Sequence, residues 1–85
     1  MRLKDITPRY SIYGAVNKMY RGKYRKFEVL IYKHGDIWYF TIDSRDKRDI
    51  RYNCLWDDIK FENQEDCVVG SMKYIEKVSK DDKAS

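Results

Sequence analysis

The chain is 85 residues long, with 38% charged and 15% aromatic residues and a formal net charge of +4. That suffices for one small domain with a thin core, is too aromatic for a disordered chain, and leaves no apolar run long enough to span a membrane. Two cysteines, Cys54 and Cys67, and a single histidine, His34, cannot furnish the four ligands of a structural zinc site from Cys and His alone.

The charge is uneven. Residues 1–51 hold 13 Lys or Arg against 6 Asp or Glu, and residues 52–85 hold 5 against 8, so the halves carry +7 and −3. A basic face and an acidic helix are expected from this contrast. No apolar run follows Met1, which predicts a cytoplasmic protein with reduced thiols and no metal or cofactor.

In chain order, a polar lead-in closes at Thr7-Pro8. Arg9 to Val16 reads as a first strand with a bulge at Gly14, and a short helix over 14–20 competes with it. Next comes a basic, tyrosine-bearing stretch, Lys18, Tyr20, Arg21, Lys23, Tyr24, Arg25 and Lys26. Cations attract phosphates without regard to sequence, and interleaved rings stack on unpaired bases, which points to single-stranded or looped RNA.

A hairpin follows. Phe27, Val29 and Ile31 alternate with Glu28, Leu30 and Tyr32, and Trp38, Phe40 and Ile42 alternate with Ile37, Tyr39 and Thr41. A two-residue turn at Gly35-Asp36 would oppose Lys33 to Trp38, Tyr32 to Tyr39, Ile31 to Phe40 and Val29 to Ile42. One face is then a core. The other, with Leu30, Tyr32, Ile37 and Tyr39, is expected to serve as a homodimer or partner interface.

Ser44 to Asp49 is a charged turn, Ile50 to Cys54 a further strand, and Leu55 to Phe61 fits either a helical turn or a strand. Asn63 is placed to cap a helix with Asp66 three residues on. That helix is expected to run to about Ser79 with Val68, Met72, Ile75 and Ser79 along its apolar line, widened by Cys67, Val69 and Val78, and with residues 80–85 as a frayed tail. The fold class is α+β: a small antiparallel sheet of three to four strands with one C-terminal helix on its apolar face.

Chemistry is harder to find. His34 sits at a hairpin tip without an orienting partner, Asp57-Asp58-Ile59-Lys60 lacks the converging carboxylates of a nuclease, and neither cysteine has a neighbour that would activate it. A non-catalytic protein is expected. Arg45, Lys47, Arg48 and Arg51 follow the hairpin's second strand, so antiparallel pairing should bring them to the Lys18–Lys26 cluster, at the end opposite the Gly35-Asp36 turn. The acids Asp43, Asp46 and Asp49 would neutralise part of this second group.

The aromatic strand Ile37–Ile42 lacks the glycines that the RRM motif requires. In length, basicity and the stretch Lys18 to Asp43, the chain resembles the TifA family of small tailed-phage accessory proteins, inhibitors of the ToxN ribonuclease toxin. That resemblance implies an RNA-binding inhibitor of a host defence ribonuclease of a toxin–antitoxin system, acting in an RNA-dependent complex in the host cytoplasm. Two alternatives stay open: an inhibitor that binds a host nuclease or CRISPR effector directly, and a small DNA-binding domain that lays its hairpin in the major groove.

Overall fold

The structure, a computed structural model, describes residues 1–7, 17–45 and 49–84, and of residues 80–84 the backbone alone. Five strands, β1 (Lys4–Asp5), β2 (Lys18–Tyr24), β3 (Phe27–His34), β4 (Ile37–Ser44) and β5 (Arg51–Asn53), form one antiparallel sheet in the order β1-β2-β3-β4-β5. A C-terminal helix, α1 (Gln64–Ala84), lies on one face. The α+β class stands, with five strands instead of three to four.

The expected hairpin register holds at every pair. Lys33 opposes Trp38, Tyr32 opposes Tyr39, Ile31 opposes Phe40 and Val29 opposes Ile42. Gly35 takes a φ of 66°, a left-handed conformation that glycine adopts without steric cost, and so closes the two-residue turn. Phe27, Val29, Ile31, Phe40 and Ile42 are all buried, as alternation requires of a covered face.

The extra strands come from two polar segments. Lys18–Tyr24 pairs along its whole length with β3, from Lys18 opposite Lys33 to Tyr24 opposite Phe27. Its Tyr20, Gly22 and Tyr24 then share the core face with Ile31, Val29 and Phe27, while Met19, Arg21 and Lys23 turn to the other. The helix that competed over 14–20 is therefore excluded at Lys18–Tyr20; the strand expected over 9–16 lies outside the described residues. On β2's far side, Lys4 opposes Arg21 and Asp5 opposes Tyr20.

The returning strand is shorter than expected, Arg51–Asn53, with Tyr52 opposite Ile42. The ambiguous segment resolves into a 3₁₀ turn at Cys54–Asp57, and Phe61 then exchanges backbone hydrogen bonds with Trp38 at 2.8 and 3.2 Å. At the helix start, the Asp66 N–H donates to Asn63 Oδ1 at 2.8 Å and Asn63 Nδ2 to Asp66 Oδ2 at 3.1 Å, the reciprocal cap expected there.

Two features of α1 differ from expectation. Its buried line is Cys67, Ser71, Ile75 and Ser79, with Val68, Met72 and Val78 half-buried beside it and Val69 exposed. The helix also continues past Ser79 to Ala84, because Lys80 to Ala84 contains no proline or glycine to stop it. Small residues dominate the contact, so the helix lies close to the sheet. A Cβ on Gly70 would stand 2.6 Å from the Phe61 ring.

Gly70→Ala is therefore expected to destabilise the fold although alanine favours helix by up to ~1 kcal/mol. The Phe61 backbone is fixed by its bridge to Trp38 and its ring packs on Phe40 at 5.9 Å, so overpacking costs about 1–3 kcal/mol and the net loss should be about 1 kcal/mol. A thermal melt should show Tm lowered by roughly 5 °C. An unchanged Tm would mean that the Phe61 ring retreats freely.

Candidate nucleic-acid interface

The basic residues divide into three groups. The first is the β2–β3 turn, made of Arg25 and Lys26 with φ of 49° and 68°. Both central residues of this two-residue turn are left-handed, the conformation for which hairpins select Asn-Gly. For a residue with a β-carbon that costs roughly 1–2 kcal/mol. Here two exposed cations occupy both positions. Arg25 stacks its guanidinium over the Tyr24 ring at 5.6 Å, and the Arg45 N–H donates to the Lys26 carbonyl at 3.0 Å.

The second group lines a groove at the sheet edge. β1 pairs with β2 only at Lys4 and Asp5, and beyond Lys4 a groove opens, walled by Arg2, Leu3, Lys4, Arg21, Gly22 and Lys23. Four of the six are cations and none is acidic. Lys4 and Arg21 are direct cross-strand partners, a like-charge pairing that is unfavourable in the absence of an anion. Among the described residues none of these four cations has a carboxylate within ion-pair distance.

The third group lies toward the opposite edge, and its described members, Arg45 and Arg51, are paired with acids. Arg45 pairs with Glu28 at 3.0 Å, and Arg51 lies 3.6 Å from both Asp43 and Asp49. Lys47 and Arg48 fall outside the described residues. Arg25, Lys26 and Arg45 therefore do meet at the end opposite Gly35-Asp36, as antiparallel geometry requires. Lys18 does not: it begins β2 at the Gly35 end, opposite Lys33. Asp5 is close enough to Lys18 to feel its charge, though the Thr7 hydroxyl and N–H do more to hold its carboxyl below the usual range.

The tyrosines are placed differently from the expectation of base stacking. Tyr24 donates its hydroxyl to Glu76 on α1 at 2.7 Å, and Tyr20 stacks on Trp38 with centroids 6.3 Å apart. Both rings pack against the core, half-buried. Tyr32 and Tyr39 stack on each other at 5.5 Å, with Tyr39 only 9% exposed and Leu30, Tyr32 and Ile37 half-buried.

Two surfaces escaped sequence reading. Arg2 and Lys4 alternate with Met1 and Leu3, a period-two signal passed over because the segment is so short. The other is Trp56, 68% exposed on the 3₁₀ turn beside the exposed Leu55 and Ile59. The turn is firmly held: Asn53 Oδ1 accepts from the Leu55 N–H at 2.9 Å, Tyr52 donates to Asp57 Oδ2 at 2.5 Å, and Tyr52 stacks on Tyr74 at 4.0 Å.

His34 is exposed. Among the described residues no three His, Cys, Asp or Glu side chains cluster as metal ligands would, and no helix is long and apolar enough to cross a membrane. Comparison of the chain with protein-family models, curated proteins and solved structures finds no match.

Both thiols are buried, and burial pushes their pKa values up; the Phe40 N–H donated to Cys54 Sγ at 3.3 Å offsets this only in part. A raised pKa removes the thiolate that does the attacking. Iodoacetamide at neutral pH should alkylate the native protein at least about tenfold more slowly than the guanidinium-denatured protein, in which both cysteines react. Fast native labelling would contradict the buried placement of Cys54 and Cys67.

Proposed function

We propose that the protein is a non-catalytic RNA-binding protein that holds phosphates on β2 and its turn. The observation that carries this reading is the turn itself. Backbone strain persists only where the surrounding structure over-determines it and clusters at functional sites, and here two cations with β-carbons occupy positions that Asn and Gly would fill more stably. The turn projects both charges from the end of the sheet, and the unpaired Arg21 and Lys23 on the adjoining strand continue the positive surface. Phosphate contacts need charge and reach, not base-specific geometry.

With Tyr20 and Tyr24 turned to the core, affinity rests on charge more than on stacking. The resemblance to the ToxN inhibitors supplies the biological setting: the bound RNA would be shared with a host ribonuclease toxin and block it. A second reading, direct capture of a protein, is favoured by Trp56, because exposed and rigidly held tryptophan is characteristic of binding hot spots. It adds a second surface to the Tyr32/Tyr39 face for a ribonuclease or other partner. Binding of a purified ToxN-type ribonuclease that survives RNase treatment and is lost in Trp56→Ala would select that reading.

Replacing Arg21, Lys23, Arg25 and Lys26 together with Ala should weaken binding to a single-stranded RNA and reduce the slope of log K against log salt by about 3. Unchanged affinity would sink the assigned site. A second variant separates binding from folding. Arg25→Asn with Lys26→Gly should raise stability by about 1 kcal/mol, since both left-handed positions become favourable while the Arg25–Tyr24 contact is lost. The same variant should bind RNA more weakly. A more stable protein with undiminished affinity would show that the turn's cations serve no ligand.

A further inference from the structure

We propose that the groove between the N-terminal segment and β2 seats two consecutive phosphates of a single RNA strand, an inference that rests on the RNA-binding reading. Four cations meet there: Lys4 directly opposite Arg21, and Arg2 and Lys23 two residues further along each chain. In an extended chain, residues two apart point the same way about 7 Å apart, and neighbouring strands lie about 5 Å apart. The backbone positions that carry the cations therefore form a compact two-by-two array. It matches the separation of adjacent phosphates on one strand and is too small to reach across the wide minor groove of an RNA duplex.

The array is built into the fold. Gly22 is buried between Arg21 and Lys23, and a Cβ there would stand 2.9 Å from the Met1 side chain and 3.0 Å from the Arg2 carbonyl. Absence of a side chain at Gly22 is what lets the N-terminal segment approach β2 and bring Arg2 into the groove. Leu3 and Gly22 supply uncharged walls, and the acid opposite Lys23 on β3, Glu28, is paired with Arg45 at 3.0 Å. With Arg2 and Lys4 added, the site spans both strands at the sheet edge instead of the β2 stretch alone.

The test uses the full chain carrying any tag at its C-terminus. Fluorescence anisotropy with a labelled oligouridylate of about a dozen nucleotides compares wild type with Arg2→Glu/Lys4→Glu, two exposed positions whose change should leave the circular dichroism spectrum and melt intact. At least about a tenfold loss of affinity is expected. Amide shifts followed by NMR should move at Arg21, Gly22 and Lys23 on titration with the 5′-phosphorylated dinucleotide pUpU. The unphosphorylated UpU, with one phosphate, should bind roughly tenfold more weakly. Wild type that binds RNA while the Arg2→Glu/Lys4→Glu variant binds equally well overturns the groove and leaves the RNA reading standing. Wild type that binds no RNA overturns both. Shifts produced by inorganic pyrophosphate but not by pUpU would make the groove a free-phosphate site and overturn its assignment to RNA.

Discussion

The pairing of Ile31 with Phe40 across the Gly35-Asp36 turn is the constraint on which the rest of the structure depends. Side chains on a strand alternate with a period of two, so a slip by one residue would send Phe40 to the face away from the helix and Tyr39 to the helix side. The left-handed Gly35 prevents that slip by fixing a two-residue turn. Phe40 then becomes the hub of the interior. Its ring lies within 6.5 Å of Tyr52, Phe61 and Tyr74, and its N–H is donated to Cys54 Sγ. Strand β5, the 3₁₀ turn, the Phe61 bridge and α1 are thus all placed by reference to one side chain that the hairpin turn aims inward.

In a domain this small, the helix must approach closely for its few apolar residues to exclude water. Cys67, Gly70 and Ser71 make that possible, and Phe61 fills the space above Gly70. Ser71 satisfies its buried hydroxyl by donating to the Val68 carbonyl at 2.7 Å, so its burial carries no unpaired polar atom. This explains why the helix stripe was only partly legible. Hydrophobic periodicity weights large apolar residues and so favoured Val68, Met72 and Val69. The packing instead centres on small ones, whose contribution is close approach, and Val69 is left in solvent. The cap at Asn63 and the β3–β4 register were legible because each depends on local chemistry that no tertiary contact overrides.

Strand β2 was the main feature that sequence reading missed, and the reason is physical. Its alternating sets are Lys18, Tyr20, Gly22, Tyr24 and Met19, Arg21, Lys23, and neither reads as plainly apolar. Tyrosine covers core with its ring while keeping its hydroxyl on a polar partner, as Tyr24 does with Glu76. Glycine contributes backbone and no hydrophobic signal. Three cations therefore masked a strand whose core face is covered by two tyrosines and a glycine. The same masking drew the expectation of stacking rings onto Tyr20 and Tyr24. It also hid the short β1, which forms only because β2 offers it an edge.

Positive charge at a sheet edge has a common explanation that involves no ligand: lysine on an edge strand deters pairing with other chains. Lys4 on β1 fits that explanation. Arg21 does not, because β2 is flanked by β3 along its length and by β1 at Arg21, where it faces the Lys4 cation. Lys23 is exposed opposite Glu28, whose carboxylate is taken by Arg45. Deterring aggregation also gives no reason to force Arg25 and Lys26 into left-handed backbone, since charged residues on either side of an Asn-Gly turn would serve as well. The third basic group shows what ordinary surface charge looks like in this fold: Arg45 and Arg51 are matched to Glu28, Asp43 and Asp49. The contrast between matched arginines toward one edge and unmatched cations at the other is the property that a polyanionic partner would relieve, and it lies along β2 and the N-terminal segment.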